Sequence, residues 1–436
     1  MTEVMFFFDT EDFTSNRSAD AIKDLADICT NEGITGHFAI VGLLAKQLKE
    51  WDRNDVIASL KPHVIGTHTY GHSLHPNICE LSDFEDFDIA YNNVAEYEDK
   101  GIEYINEVLK PESIMFACPP GNSKSYVAMY YYADKNIPFY CDTIIADDRN
   151  SSLFYCNQEH IAYICSLEQM FFSETKADVC ELLNDLAENK DRVIFYAHPN
   201  MIVKTQFWDK LNYDKENLRE YGNWIEAPDR AVEQTEEFYN DFSNLIRAIK
   251  KDNRFKIVNL NEILAGRQAR TKITLDMISA IKEKLLENFN FIKEPSLSIA
   301  DVFCAAVSFL RGKTEYEPEK VYGFLEKPIG IQNICSVKRE DIVKASMEID
   351  ISKFLPSQIT VGSYKIGPAD FLFAALEVLT TDKEEINLYP RNQLNDVSFL
   401  KDLNQFKLKG TWTHSEKLED NYLSDRVKLQ CWTLRY

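Results

Sequence analysis

The first 265 residues alternate short apolar runs with helix-like segments, and this alternation limits the possible folds more than any other feature of the sequence. The earliest apolar runs are 4–8, 37–41 and 64–66, and a helix-like stretch at 19–29 separates the first two. Strands that alternate with helices are typical of a parallel sheet covered by helices. About seven strands are expected before Gly266, a number that favours a closed α/β barrel over an open sheet.

The rhythm of the sequence changes after Gly266, and this change predicts a domain boundary. A chain of 436 residues also exceeds the size at which a single hydrophobic core usually stops growing. Longer helical periodicity follows the boundary. We therefore expect one domain at 1–266 and a second, mainly helical α+β domain at 271–436.

The second part of the chain contains an internal repeat. The Ala-Asp start of 300–307 recurs at 369–376, and two similar helices that pack together are the simplest interpretation. Residues 428–434 alternate polar and apolar side chains, a pattern that predicts a strand near the C-terminus.

The charge and the cysteines of the chain exclude several classes of partner. Lysine and arginine total 48 against 70 acidic residues, so the formal charge of -22 repels nucleic acid and anionic membrane surfaces. The ten scattered cysteines show no metal-type pairing and are expected to be reduced. No apolar stretch approaches the ~20 residues of a transmembrane helix, and the N-terminus shows no export signal. We expect a soluble, cytoplasmic protein.

Carboxylates and histidines follow the first and third predicted strands. Asp9, Glu11 and Asp12 follow the first, and like charges this close repel unless a cation or a proton separates them. His68 and His72, four residues apart, follow the third. The carboxyl ends of barrel strands form the active face, where one carboxylate and two imidazoles would make three metal ligands. Three protein ligands leave a position for water, as in catalytic rather than structural metal sites.

Hydrolysis at such a site also needs a proton acceptor and a proton donor. Asp9 is available as the acceptor if Glu11 or Asp12 binds the ion. His198 ends a late apolar strand and is the candidate donor, because imidazole titrates near neutral pH. Simpler interpretations stay open for each feature: a helix N-cap for the carboxylates, a solvated turn for the histidine pair, and a strand-end histidine without a special role for His198.

Together these residues resemble a known family. The segments 9–12, 68–72, 119–121 and 196–198 occur in the order and approximate spacing of the polysaccharide deacetylases, the carbohydrate esterases related to chitin-oligosaccharide and peptidoglycan deacetylases. The resemblance covers 1–265. It implies a distorted (β/α)7 barrel, a divalent ion that is Zn²⁺ or otherwise Co²⁺, Mn²⁺ or Ni²⁺, and hydrolysis of an N- or O-acetyl group from a sugar.

The resemblance also implies roles for the residues around the ion. Asp9 corresponds to the catalytic base of the family, and His68 and His72 correspond to its metal-binding histidines. Glu11 is the first choice for the third ligand and Asp12 is the second, because the chain has a spaced acid pattern in place of two adjacent aspartates.

The remaining motifs of the family match this sequence less completely. His198 corresponds to the general acid. The third motif arginine, which orients the base, falls on Cys118 or, with a shift of one residue, on Ala117. Asp142 is the candidate for the aspartate of the fourth motif, although an ordinary strand-end acid is the alternative. The substrate-binding part of the third motif corresponds to Pro119, Pro120 and Gly121.

The sequence therefore predicts a metal-dependent hydrolase that removes an acetyl group from an N- or O-acetylated sugar or oligosaccharide. Two alternatives stay open. A cytoplasmic protein is separated from cell-wall polymer, which favours a small non-sugar amide as substrate. The missing motif arginine favours a carbohydrate-binding pseudoenzyme. The expected partner is an acetylated sugar or a small amide, without nucleic acid or membrane. The second domain is an accessory domain of unknown role, for which substrate restriction and homo-oligomerisation stay open.

Overall fold

The chain folds into two compact units. The computed structural model describes residues 1–122, 124–141, 149–173, 178–213, 223–400, 403 and 418–436. The first unit contains Met1–Ser151, His160–Arg267 and residues 418–421. The second contains Ser152–Glu159, residues 268–403 as far as described, and Tyr422–Tyr436. The chain thus passes to the second unit after Arg267, and the short segment Ser152–Glu159 within the first half also belongs to the second unit.

The strands are short apart from the first. In chain order they are β1 (Thr2–Thr10), β2 (His37–Ile40), β3 (Val64–Thr67), β4 (Phe116–Ala117), β5 (Phe139–Tyr140), β6 (Leu153–Tyr155), β7 (Gln158–His160), β8 (Cys165–Ser166), β9 (Arg192–Ala197), β10 (Phe255–Ile257), β11 (Ile273–Thr274), β12 (Glu315–Tyr316), β13 (Cys335–Lys338), β14 (Ile359–Val361), β15 (Tyr364–Ile366) and β16 (Glu385–Leu388).

The helices alternate with the strands in the first unit and dominate the second. The described α-helices are α1 (Asn16–Asn31), α2 (Gly42–Glu50), α3 (Asn54–Leu60), α4 (Phe87–Val108), α5 (Tyr126–Asp134), α6 (Leu167–Phe172), α7 (Val179–Asn189), α8 (Pro199–Val203), α9 (Trp208–Tyr213), α10 (Val232–Lys251), α11 (Leu260–Gly266), α12 (Ile278–Glu287), α13 (Ile299–Leu310), α14 (Arg339–Glu348), α15 (Pro368–Thr380) and α16 (Leu423–Leu429). None of these described helices has both the length and the apolar composition needed to cross a bilayer.

A curled parallel sheet forms the centre of the first unit. Its strand order is β5-β4-β3-β2-β1-β9-β8, and β10 pairs with the start of β1. Neighbouring strands run parallel, so that Phe7 of β1 is level with His37 of β2 and Tyr196 of β9. The helices that follow the strands cover the outside of this sheet, as the strand-helix alternation of the sequence predicts. The predicted α/β barrel class is confirmed.

The segment 161–164 closes the sheet between β5 and β9, but not as the strand that its apolar pattern predicts. Ile161 N–H donates to the Tyr140 carbonyl of β5 at 3.0 Å, and Ile164 N–H donates to the Ile194 carbonyl of β9 at 3.1 Å. The two-residue strand β8 follows and pairs with β9. One irregular stretch of chain thus forms hydrogen bonds with both β5 and β9.

Alternating side chains fill the barrel interior and lead up to the candidate site. Successive strand residues point to opposite faces, so Met5, Phe7 and Asp9 share the inner face of β1. Gly66 leaves room for the Phe116 ring, since a Cβ at Gly66 would lie 2.5 Å from the ring atoms. The inner face is apolar deep inside the barrel and becomes polar where the strands end. The buried interior residues include Met5, Phe7, Ala39, Val64, Phe116, Cys118, Phe139, Cys141, Ile161 and Ile194.

The second unit has the predicted mainly helical α+β composition. Among its described residues, three small antiparallel sheets pair β11 with β12, β13 with β16, and β14 with β15. The prediction of a strand at 428–434 is wrong, because α16 occupies Leu423–Leu429 and a 3-10 helix continues over Gln430–Thr433. In this helical segment Trp432 is fully buried, so the hydrophobic side chains of the pattern pack into a core instead of forming one face of a strand.

The internal repeat corresponds to helices α13 and α15. The rings of Phe303 and Phe371 lie 5.7 Å apart where the two helices pack together. Each helix begins with a buried aspartate that accepts a hydrogen bond from the backbone N–H just before the helix, Asp301 at 2.9 Å and Asp370 at 3.0 Å. The repeated Ala-Asp sequence is therefore a helix-capping feature.

A buried glutamate on α4 gives the first unit a pH-dependent stability. Burial raises the pKa of Glu98 to about 7, even though Tyr132 Oη and the Tyr70 N–H donate hydrogen bonds to its carboxylate. The folded protein therefore binds a proton that the unfolded chain releases near pH 4.5. This stabilisation is complete below that pH and is lost as the pH rises through about 7.

We expect Glu98→Gln to remove this pH dependence, because an amide stays neutral while it keeps both hydrogen-bond partners. Between pH 5 and pH 8 the wild type should lose up to about 3 kcal/mol of unfolding free energy that the variant keeps. Urea unfolding at the two pH values measures the difference. Glu103→Gln, at an exposed position of the same helix, is the control and should behave as the wild type. Equal pH dependence in all three proteins would contradict the assignment.

Candidate metal centre

One carboxylate and two imidazoles converge at the carboxyl end of the sheet. Glu11 follows β1, and His68 follows β3. The Nε2 atoms of His72 and His68 lie 3.0 and 3.9 Å from Glu11 Oε2, and all three side chains are 2–3% exposed. Ligand atoms around a tetrahedral Zn²⁺ at its usual bond lengths are about 3.4 Å apart, so the spacing fits a small divalent ion. The donor chemistry fits as well, since carboxylate oxygen and imidazole nitrogen both bind zinc.

A tight turn, and not a helix, brings the two histidines together. Thr69 and His72 have positive φ angles of 64° and 55°, and Thr69 Oγ1 accepts a hydrogen bond from the His72 N–H at 3.0 Å. The imidazole ring centres of His68 and His72 are 4.8 Å apart. A spacing of four residues usually indicates a helical turn. Here the left-handed backbone of the turn brings the two side chains together instead.

Outer hydrogen bonds fix which nitrogen each histidine presents. His68 Nδ1–H donates to the Cys118 carbonyl at 2.7 Å, and His72 Nδ1–H donates to Asp209 Oδ2 at 3.0 Å. Because a carbonyl oxygen can only accept, the proton of His68 is on Nδ1, and Nε2 offers its lone pair to an ion. Such partners orient metal-binding histidines and raise their basicity. Asp209 is fully buried and also accepts a hydrogen bond from Ser73 Oγ at 2.9 Å.

Asp12, the second choice for the carboxylate ligand, does not join this group. Its Oδ1 accepts hydrogen bonds from the Thr14 N–H at 2.8 Å and from Thr14 Oγ1 at 2.6 Å. Its Oδ2 accepts one from Ser18 Oγ at 2.5 Å. Asp12 thus organises the turn that leads into α1, and Glu11 is the carboxylate that faces the histidines.

The charges of the group compensate one another. Burial acts to raise the pKa of Glu11, but the charge and hydrogen bond of His72 lower it to about 2. Burial acts to lower the pKa of His72, but Glu11 and Asp209 raise it to about 10. Burial, assisted by the charge of His72, lowers the pKa of His68 to about 3, so that imidazole is neutral. An anionic carboxylate and a neutral imidazole already have the protonation states that a metal requires.

Asp9 lies beside this group with a hydroxyl and a thiol as neighbours. Tyr163 Oη donates to Asp9 Oδ1 at 2.8 Å, and Cys118 Sγ is 3.7 Å from the same oxygen. Burial raises the pKa of Asp9, with partial compensation from His198 and Tyr163. The Tyr163 ring is stacked on Tyr196 at 4.7 Å, which holds the hydroxyl in place. Cys118 and Tyr163 therefore contact Asp9 where the resemblance predicts an arginine.

His198 faces Asp9 from the end of β9. Its Nε2 lies 3.8 Å from Asp9 Oδ2, and its Nδ1–H donates to Glu168 Oε1 at 3.0 Å. Burial acts to lower the pKa of His198, but the hydrogen bond and charge of Glu168 raise it to about 10. The imidazole is therefore protonated at neutral pH and can donate a proton. Its side chain is 22% exposed, compared with 7% for Asp9 and 2–3% for Glu11, His68 and His72.

The third-motif residues lie directly after the Cys118 position. Pro119 and Pro120 are buried, and Gly121 is exposed with a φ angle of 46°, a left-handed conformation that suits glycine. Their assignment to substrate binding stays a prediction. Asp142, the candidate for the fourth motif, lies outside the described residues.

Sequence reasoning did not find three residues that complete the site. Asp209 and Glu168 orient the two functional histidines, and Tyr163 holds Asp9. Tyr163 alone carried a usable signal, because it is the one residue with a polar group in the apolar run 161–164. Asp209 and Glu168 sit at the beginnings of short helices among many other acidic residues, where no spacing distinguishes them.

The structure predicts that the two adjacent carboxylates behave differently on substitution. Glu11→Gln removes the anionic ligand, so we expect loss of bound divalent ion. Asp12→Asn is the matched control, and the variant should keep the ion while it loses some stability in the turn before α1. Metal content after dialysis measures both. Retention of metal by Glu11→Gln together with loss by Asp12→Asn would reverse the ligand assignment.

Asp209→Asn should weaken metal binding without removing a ligand. The amide oxygen can still accept from His72 Nδ1–H, but the negative charge that increases the basicity of the imidazole is lost. We expect about 10- to 100-fold weaker affinity, the usual cost of an outer partner. Ser73→Ala keeps the carboxylate and should have a much smaller effect. Competition with a chelator measures the affinities, and an unchanged affinity in Asp209→Asn would show that this contact has no role.

Comparisons with known proteins find similarity among solved structures, each over about 60% of this chain. No family model matches the sequence, and no curated protein matches it. Among solved structures, a probable polysaccharide deacetylase from Pseudomonas aeruginosa PAO1 matches over 61% of this chain and 90% of its own, with 9% identity and a TM-score of 0.39. A CE4 family pseudoenzyme from Bacillus anthracis matches over 60% and 65%, with 13% identity and a TM-score of 0.36.

A third solved structure, a peptidoglycan N-acetylglucosamine deacetylase, matches over 59% of this chain and 86% of its own, with 14% identity and a TM-score of 0.33. Identity and TM-score are low in all three comparisons, so the activities of those proteins are not assigned to this chain. In the order of its motifs and in its curled parallel sheet, the first unit is similar to polysaccharide deacetylases.

Proposed function

We propose that the protein is a metal-dependent hydrolase that removes an acetyl group from an N- or O-acetylated sugar or oligosaccharide. The observation that carries the proposal is the convergence of Glu11, His68 and His72 on one point, with Asp9 and His198 beside it. Three ligands with an acid and a base next to them are the parts that hydrolysis by an activated water requires. The acetylated sugar as substrate class rests on the resemblance of the motifs.

The ligand group is suited to a catalytic ion. When bound, a divalent ion polarises a carbonyl oxygen and lowers the pKa of a water toward ~7. Three protein ligands leave at least one coordination position for solvent or substrate, whereas structural zinc sites usually have four. Glu11 contributes one negative charge, and both histidines can bind as neutral imidazoles through Nε2.

Asp9 acts as the proton acceptor in this proposal. Its Oδ1 is held by Tyr163, so Oδ2, the oxygen nearer His198, is available for a water proton. Burial raises the pKa of Asp9, which makes the carboxylate a stronger base than an exposed aspartate. Tyr163 keeps its proton, since burial raises its pKa well above the usual value, and it therefore remains a hydrogen-bond donor to the base.

His198 acts as the proton donor to the leaving amine or alcohol. Glu168 keeps the imidazole protonated and fixes its Nδ1–H, so Nε2–H is the group that faces Asp9 and the ligands. His198 is more exposed than Asp9 and the three ligands, and its side of the site is therefore the entrance for a substrate in this proposal. The half-buried ring of Phe207 packs edge-on against His198 with ring centres 5.0 Å apart, and it lines this entrance with an apolar surface.

A specific observation favours one alternative, a pseudoenzyme that binds carbohydrate without turnover. Cys118 stands in the position of the motif arginine, and its thiol supplies no positive charge to Asp9. An arginine holds a carboxylate with two hydrogen bonds, whereas Tyr163 holds Asp9 with one. The alternative differs from the main proposal in turnover and not in metal binding.

Hydrolysis by the metal-loaded protein tests the proposal, measured as acetate release from the acetylated substrates and as ring opening of the cyclic amides. N-acetylated sugars, acetylated oligosaccharides and small cyclic amides form the substrate panel. We expect turnover of an acetylated sugar that falls about 10²- to 10⁴-fold in Asp9→Asn and in His198→Gln, the usual range for loss of a general base or acid. His75→Gln, three residues beyond His72 and bonded to Glu80, is the matched control and should keep the activity.

Each other outcome selects a different conclusion. Activity on small amides alone would replace the substrate class. Sugar binding without turnover, in protein that retains its metal, would establish the pseudoenzyme. Protein that binds no divalent ion would refute the proposal as a whole.

A further inference from the structure

A second set of metal-binding atoms overlaps the first. Asp9, His68 and Cys118 also offer three ligand atoms that lie within 4.8 Å of one another, and all three residues are buried. Cys118 is 1% exposed, and its Sγ lies 3.7 Å from Asp9 Oδ1. The resemblance to polysaccharide deacetylases does not account for this set, because it predicts an arginine where the thiol lies.

The spacing of the second set fits a thiolate-bound ion. With a metal-sulfur bond of about 2.3 Å and a metal-oxygen bond of about 2.0 Å, tetrahedral geometry separates sulfur from oxygen by about 3.5 Å. The observed separation of 3.7 Å between Cys118 Sγ and Asp9 Oδ1 is close to that value.

The charge of the second set also favours a divalent ion. The Asp9 carboxylate and a Cys118 thiolate carry two negative charges, whereas the Glu11 group carries one. A buried dication costs less free energy where its ligands neutralise it fully. Sulfur is a soft ligand, which favours Cd²⁺, Zn²⁺ and Co²⁺ over Mg²⁺ and Mn²⁺.

The two sets cannot each hold an ion at once. His68 Nδ1–H donates to the Cys118 carbonyl, so His68 has a single free nitrogen, Nε2, and both sets need it. An ion bound by Asp9 and Cys118 therefore takes His68 from Glu11 and His72. It also uses the carboxylate that accepts the proton in the proposed reaction.

We propose that Asp9, His68 and Cys118 form a second, mutually exclusive position for a thiophilic divalent ion, and that occupation of this position inhibits the enzyme. In the binding step the Cys118 thiol releases its proton to solvent as the metal-sulfur bond forms, without any change of oxidation state. The binding part stands independently, and the inhibition part rests on the proposed hydrolase function.

Cobalt substitution tests the binding part without any activity measurement. A thiolate bound to Co²⁺ gives a charge-transfer absorption in the near ultraviolet, which carboxylate and imidazole ligands do not give. We expect this band in wild-type protein titrated with Co²⁺ and its loss in Cys118→Ser. Cys141→Ser, at another fully buried cysteine of the barrel interior, is the matched control and should keep the band.

A further variant separates the two positions. His72→Ala disrupts the first set and leaves all three ligands of the second, so the band should persist or increase. No band in the wild type, or a band that survives in Cys118→Ser, overturns the second position. Loss of the band in His72→Ala overturns its independence, since it would place the sulfur in one common site. Circular dichroism of each variant excludes unfolding as the cause of a lost band.

Inhibition by Cd²⁺ tests the functional part. In protein with measurable turnover, Cys118→Ser should need at least about tenfold more Cd²⁺ for half-inhibition, the lower end of the loss expected for a weakened metal site. Equal sensitivity to Cd²⁺ in both proteins overturns the inhibitory role. If no substrate is turned over, the hydrolase proposal fails, whereas the cobalt band still decides the binding proposal.

Discussion

The alternation of side chains along β1 is the constraint on which both the fold and the site depend. This strand bonds to β2, β9 and β10, so its register fixes the level of its neighbours. Phe6 and Phe8 point outward and pack against Phe242 of α10, whereas Phe7 fills the interior. Asp9 continues the inner face by the same period of two. A slip of one residue would bury Asp9 among the helices, so the packing that stabilises the barrel also directs Asp9 toward the candidate ligands.

The charged side chains at the polar end of the barrel are buried, and burial raises the free energy of their ionised forms. Isolated charges at this depth would be costly, and the structure compensates them by placing each carboxylate next to an imidazole or a hydroxyl. His37 shows that burial alone does not mark a site: its Nδ1–H donates to the Phe6 carbonyl, and its Nε2 accepts from the Leu260 N–H, so both nitrogens are satisfied by backbone. At His68 and His72 the backbone or a carboxylate satisfies Nδ1, and Nε2 stays directed at Glu11.

Much of the fold could be predicted because its signals are local. Apolar runs predicted most strands of the barrel, and the errors occurred where tertiary contacts override local pattern, as at 161–164 and 428–434. The candidate ligands and the candidate acid and base could also be predicted from the sequence, because strand ends in parallel sheets share one edge. Asp209 and Glu168 could not be predicted from the sequence. They reach the site from other segments of the chain, and their sequence distance from the histidines carries no information.

The sequence by itself determined the alternation of strands and helices, the identity of the residues at the strand ends and the lack of an arginine at positions 117 and 118. These properties are fixed by composition and by periods of a few residues. Only the tertiary structure decided that Glu11 and not Asp12 faces the histidines. It also decided that Tyr163 holds Asp9, and that the Cys118 thiol joins Asp9 and His68 in a second set of candidate ligands. The physical reason is that the side chains of neighbouring residues point in different directions where a strand ends. Side chains that are distant in sequence meet only after the sheet has curled.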